Sequence, residues 1–123
     1  MNSTTLQTTN RYILRAEGLA VLLAAIALYT LYDGNLWMFI ALLLAPDLVF
    51  IVYLINKEAG VFAYNAVHNY ILPLGAIGLS VATDSTQGLL LGSIWLAHVG
   101  MDRMVGYGLK YSAEGKDTHL QRI

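Results

Sequence analysis

A chain of 123 residues makes one domain and no more. Its residues are 57% hydrophobic and 12% charged, against roughly 45–50% apolar and about 25% charged in soluble domains. So short a chain cannot bury that much apolar sequence in itself. The net charge of −1 gives no reason to expect nucleic acid as a partner, and the lack of cysteine excludes disulfides and thiolate metal sites.

Residues 1–11 are polar, rich in Ser, Thr, Asn and Gln, and are expected to be disordered. Residues 12–109 form the expected membrane domain of four apolar stretches. The first runs from Gly18 to Tyr32, with Tyr12, Ile13 and Leu14 available to lengthen it, and is read as an uncleaved helix. The second, Leu36 to Ile55, is interrupted by Pro46 and Asp47. The third, Val61 to Val81, contains Asn65, His68, Asn69 and Pro73. The fourth, Gly88 to Gly106, contains His98, Asp102 and Arg103. Helices of about 17–25 residues cross a hydrocarbon core of about 30 Å. Three compact connectors (Asp33 to Asn35, Asn56 to Gly60, Thr83 to Thr86) make neighbouring helices antiparallel. The expectation is an all-α, four-helix up-down transmembrane bundle.

Charge sets its orientation. Arg11, Arg15, Lys57, Arg103, Lys110, Lys116 and Arg122 fall on one side, and the loops holding Asp33 and Asp84 carry no Lys or Arg. The positive-inside rule predicts a multi-pass inner-membrane protein with both termini cytoplasmic. Residues 110–123 form a polar cytoplasmic tail suited to anionic lipid headgroups, with His119 as a possible additional ligand.

Besides Arg103 near the cytoplasmic end of the fourth run, four ionisable residues interrupt the apolar runs, where each costs at least about 2.5–3.5 kcal/mol. At about 1.5 Å per residue, Asp47 lies about 14 Å from the cytoplasmic boundary, His68 about 10 Å, His98 about 15 Å and Asp102 about 9 Å. All four therefore share one layer. His98 and Asp102, spaced i and i+4, stack on one helix face. With Asp47 and His68 they form a two-His, two-carboxylate set suited to zinc, manganese or iron. A divalent ion with an open position lowers the pKa of water toward neutrality, and Asp47 or Asp102 could instead act as general base. Tyr64 and Asn65, one turn from His68, are placed to orient ligands or substrate.

Other readings of the same residues stand beside this one. The cluster could work without metal, or serve packing alone, with the carbonyls of Leu42 and Asn69, freed by Pro46 and Pro73, as acceptors for the histidines. Trp95 is placed for packing or for lining the same cavity. Gly75, Gly78 and Gly92 suggest close helix approach.

The runs Ala45 to Asp47, Tyr64 to His68, Trp95 to Arg103, Gly106 to Tyr111 and Lys116 to Ile123 resemble a bacterial membrane family. It is the domain-of-unknown-function family numbered four-two-six-zero, and the resemblance implies a small four-helix membrane protein. A weaker resemblance, through Pro46-Asp47, His68 and the His98/Asp102 pair, is to inner-membrane proteins described as metal-dependent hydrolases. Val49 stands where those proteins carry a second aspartate, and their early His-rich segment is missing.

Three functions follow as expectations. The first is a membrane-embedded metal-dependent hydrolase acting on a lipid or lipid-linked substrate from the cytoplasmic side. The second is a proton- or cation-coupled transporter, which in so short a chain requires a parallel homo-oligomer. The third is a non-catalytic membrane scaffold.

Overall fold

A computed structural model describes residues 2–110; the expectations for the tail beyond Lys110, His119 among them, lie outside these residues. The described chain is helical: α1 Ser3–Leu31, α2 Leu36–Leu42, a 3-10 turn Ala45–Val49, α3 Phe50–Ile55, α4 Lys57–Val67, α5 Ile71–Ala82 and α6 Thr86–Val105.

The N-terminus is a correction. Helix α1 starts at Ser3, within the segment expected to be disordered. Asn2 supplies the reason: its carboxamide accepts from the Thr5 amide at 2.8 Å and so caps the first turn. At 29 residues the helix is about 43 Å long, more than a hydrocarbon core requires.

Helix α6 lies at the centre. Small residues let its neighbours approach: Ala97 and Ser93 are fully buried, and Gly92 and Gly100 are buried. Helix α1 packs antiparallel to it, with Gly18 against Arg103 and Met104, Gly100 against Leu22, and Tyr29 beside Leu90 and Ile94. Arg15 locks the end of the pair by donating from Nε to the Met104 carbonyl at 2.8 Å. Helix α5 is antiparallel on another face, where Gly92 receives Ile77 and Gly88 receives Ser80. A β-carbon on Gly75 or Gly78 would meet nothing within 4 Å. Of the three expected packing glycines, only Gly92 acts as one.

The second and third apolar stretches are each broken into two helices. Pro46 has no N–H to continue α2, and the chain tightens into the 3-10 turn that carries Asp47. In the third stretch the helix unwinds at His68, Asn69 and Tyr70, because Pro73 cannot bond back to Asn69. The Asn69 side chain fills the gap, donating to the carbonyls of Asn65 (2.9 Å) and Ala66 (2.7 Å) and accepting from Leu72 N–H (3.1 Å). The connector expected from Asn56 to Gly60 shrinks to Asn56 alone. Its backbone is extended, and its side chain caps α4 by accepting from Ala59 N–H at 3.0 Å.

Two segments, Ser3–Leu31 and Leu36–Ile55, are long and apolar enough to cross a membrane, and Ile71–Ala82 is a shorter apolar helix. Large apolar side chains face outward along several helices: Leu54 is 84% exposed, Ile71 78% and Trp37 75%.

Candidate metal centre

Three separate parts of the chain meet at one point. The 3-10 turn brings Asp47, the unwound join of α4 and α5 brings His68, and one face of α6 brings His98 and Asp102. Both imidazoles are completely buried, while the Asp47 side chain keeps 36% of its exposure and Asp102 keeps 14%. His68 Nε2 lies 3.0 Å from Asp47 Oδ1, 3.1 Å from His98 Nε2 and 3.6 Å from Asp102 Oδ2. His98 Nε2 lies 3.2 Å from each of the two carboxylate oxygens. Four donors at about 2.0–2.1 Å from a tetrahedral zinc ion would be about 3.3–3.4 Å apart; the distances from the two Nε2 atoms bracket that value, and all four atoms lie within 4.8 Å of one another.

The other ring nitrogens decide what the centre lacks. His68 Nδ1 faces the Tyr64 carbonyl at 2.9 Å, and His98 Nδ1 faces that of Leu43 at 2.7 Å. A carbonyl only accepts, so each Nδ1 must carry its proton and donate. In neutral histidines both Nε2 atoms then present lone pairs, 3.1 Å apart, to each other and to two carboxylates. Four electron-pair donors surround a point with no proton among them. A cation satisfies that arrangement, and the group could hold a metal ion. Carbonyls bonded to the outer nitrogens are the usual means of orienting histidine ligands.

The helix breaks supply these carbonyls, with a correction to the expected ones. His98 uses Leu43, one residue beyond the Leu42 carbonyl expected from Pro46, and His68 bonds within its own helix. At the second break, the Val67 carbonyl accepts from the Trp95 indole at 2.6 Å, and that of His68 from Arg103 Nη2 at 2.8 Å. Arg103 is 6% exposed, and its Nη1 also donates to the Tyr107 carbonyl at 3.0 Å. Its two donors tie the peptide of one ligand to the end of α6.

Tyr64 and Asn65 act differently from each other. The Tyr64 ring stacks on His68, with centroids 3.9 Å apart and planes 10° apart, and its carbonyl orients the imidazole. Asn65 reaches away from the ligands and clasps the backbone of Lys110, donating to its carbonyl at 2.8 Å and accepting from its N–H at 2.7 Å.

That clasp brings a cation which sequence reasoning assigned to the tail. Lys110 Nζ lies 4.9 Å from the Tyr64 ring centroid, 5.2 Å from Phe50 and 5.5 Å from Tyr53. Such distances allow cation–π attraction, while burial pushes the ammonium below its ordinary pKa. The A-Y-N-A-V-H run held the signal, because Asn65 sits one helical turn before Asn69 with an amide free for a backbone.

One cleft opens onto the cluster and a second lies beside it. A polar one of about 280 Å³ is lined by Asp47, Phe50, Tyr64, Asp102, Tyr107 and Lys110. An apolar one of about 310 Å³ is lined by Leu42, Pro46, Val67, Leu91, Ile94 and Trp95. Trp95 thus both packs and lines a cavity beside the cluster.

Fold and site together define an all-helical domain with helices of membrane-crossing length and a buried His/Asp group able to hold a metal ion. The family model described as "Domain of unknown function (DUF4260)" matches residues 11–123, and the chain belongs to that family. No curated protein and no solved structure matches it.

Proposed function

We propose that this is a multi-pass membrane protein whose Asp47, His68, His98 and Asp102 form the site of one divalent ion, zinc, manganese or iron, and that it hydrolyses a lipid or lipid-linked ester. The observation that carries the reading is the convergence of both Nε2 atoms and two carboxylates on one point, with each Nδ1 set against a carbonyl that can only accept. Outward-facing apolar side chains support the membrane location. The one-sided Lys and Arg distribution supports cytoplasmic termini and a four-helix up-down arrangement in which α2 with α3, and α4 with α5, form the broken middle spans.

When bound, the ion supplies Lewis acidity toward the ester carbonyl and the water. Asp47, the most exposed of the four and part of the polar cleft, acts as general base in place of a ligand, which leaves the fourth position of the ion to water. Asp47 takes a proton from water as the water oxygen joins the carbonyl carbon. It returns that proton to the leaving oxygen as the acyl bond breaks. The two histidines stay neutral and fixed by their carbonyl partners. Asp102 keeps the second negative charge, which balances the ion.

Elemental mass spectrometry of the detergent-purified protein tests the reading. Near one equivalent of metal in the parent chain and almost none in Asp102→Ala is the expected result. Metal-free protein, even after loading with zinc, manganese and iron, would sink the metalloenzyme and leave a proton-coupled transporter or a scaffold.

A further inference from the structure

The two clefts differ in chemistry and lie at successive levels of α6. Leu91, Ile94 and Trp95, on the apolar cleft, precede His98; Tyr107 and Lys110, on the polar cleft, follow Asp102. The chain neighbours of two cluster residues close the apolar cleft, Pro46 beside Asp47 and Val67 beside His68. An apolar slot therefore flanks the cluster on one side, and a polar mouth with a cation opens from the other. From this we infer that the substrate is a single-chain anionic amphiphile, its hydrocarbon tail in the apolar cleft and its acidic headgroup against Lys110. The inference rests on the metal-centre reading for its chemistry and for the net charge of the polar mouth, and on the clefts for the place of the hydrocarbon tail.

Size and charge restrict the occupant. A cleft of about 310 Å³ is at the small end of ligand sites, with room for one chain rather than two. In the polar cleft a divalent ion would balance Asp47 and Asp102, so the ammonium of Lys110 leaves a net positive mouth. Phe50, Tyr53 and Tyr64 already surround that ammonium. A box of three rings is the usual receptor for a quaternary ammonium group. Filled by Lys110, it refuses a cationic headgroup and presents a point charge to a carboxylate or phosphate. The Asn65 clasp keeps the ammonium there by fixing the backbone that carries it.

Trp95 gives the test, because Trp37→Phe leaves it the sole tryptophan and it lines the apolar cleft. The protein in lipid nanodiscs would be titrated with a brominated fatty acid and with a brominated alkyltrimethylammonium of equal chain length. The fatty acid is expected to quench Trp95 saturably at a concentration at least about tenfold lower, a difference of about 1.4 kcal/mol. Lys110→Gln should erase the preference, Lys110→Arg should keep it, and Ala45→Phe, at a residue that also lines the apolar cleft, should fill the slot and weaken quenching by both. Equal quenching by the two headgroups, a preference that survives Lys110→Gln, or indifference to Ala45→Phe would each overturn the inference. Metal content of the same samples separates the two readings. Metal without headgroup preference removes the amphiphile; preference without metal removes the hydrolase.

Discussion

His68 and His98 show how far backbone can determine side-chain chemistry. In each ring the Nδ1 proton is directed to a carbonyl, which fixes the tautomer of the neutral imidazole and turns Nε2 toward the cluster. The four residues of the cluster were legible in the sequence, since ionisable groups in apolar runs stand out and a fixed rise per residue gives their depth. Their rotation toward one point was not, and neither were the carbonyls that fix the rings, because every residue has a carbonyl. Lys110 was hidden for another reason: a lysine beyond the last helix looks like a solvated charge until Asn65 is seen to hold its backbone. Arg103 makes a prediction at this scale. Its guanidinium bridges the carbonyls of His68 and Tyr107, and lysine can reach only one. Losing one such charged hydrogen bond costs about 1.5–3 kcal/mol. Arg103→Lys should therefore lower the thermal unfolding midpoint in detergent, and Arg103→Gln should lower it further.

The helices carry a second set of expectations, because close approach depends on where a glycine points. A β-carbon at Gly100 would stand 2.8 Å from Leu22 N and 2.9 Å from the Gly18 carbonyl, backbone that cannot yield. Gly100→Val should push α1 from α6 and cost about 1–3 kcal/mol by overpacking. Gly78→Ala meets open space and should be neutral or slightly stabilising, since alanine favours helix by up to about 1 kcal/mol. Paired thermal melts of the two variants check this; equal losses would contradict the packing described. The sequence marked both prolines as interruptions but not as boundaries. Proline shows which carbonyl loses its partner, whereas the place where the chain resumes depends on local caps such as Asn69.

For the whole molecule, the open matter is which surfaces face which solvent. Composition and charge distribution predict the membrane and its sidedness, and the outward apolar side chains agree with burial in lipid. The chain has no cysteine, so an introduced one is a unique reporter. In intact cells, a membrane-impermeant maleimide should label Asp84→Cys and leave Glu58→Cys unlabelled until the membrane is opened. The reverse pattern would invert the topology, and labelling of both sites in sealed cells would rule out a spanning segment between them. α6, with its buried polar residues, is enclosed by the other helices, so the spans judged by apolarity are fewer than those expected from pattern.

The cluster residues come from stretches far apart along the chain: Asp47 and His68 are 21 residues apart, and His68 and His98 are 30 apart. An ion held among them would be a rivet, closing two long loops in a protein with no covalent cross-link of its own. Ligand binding to the native state alone adds stability by mass action. Stripping the ion with a chelator should then lower the melting temperature by several degrees, and restoring it should bring the temperature back. A centre of this kind would couple the survival of the fold to the supply of metal in the cell.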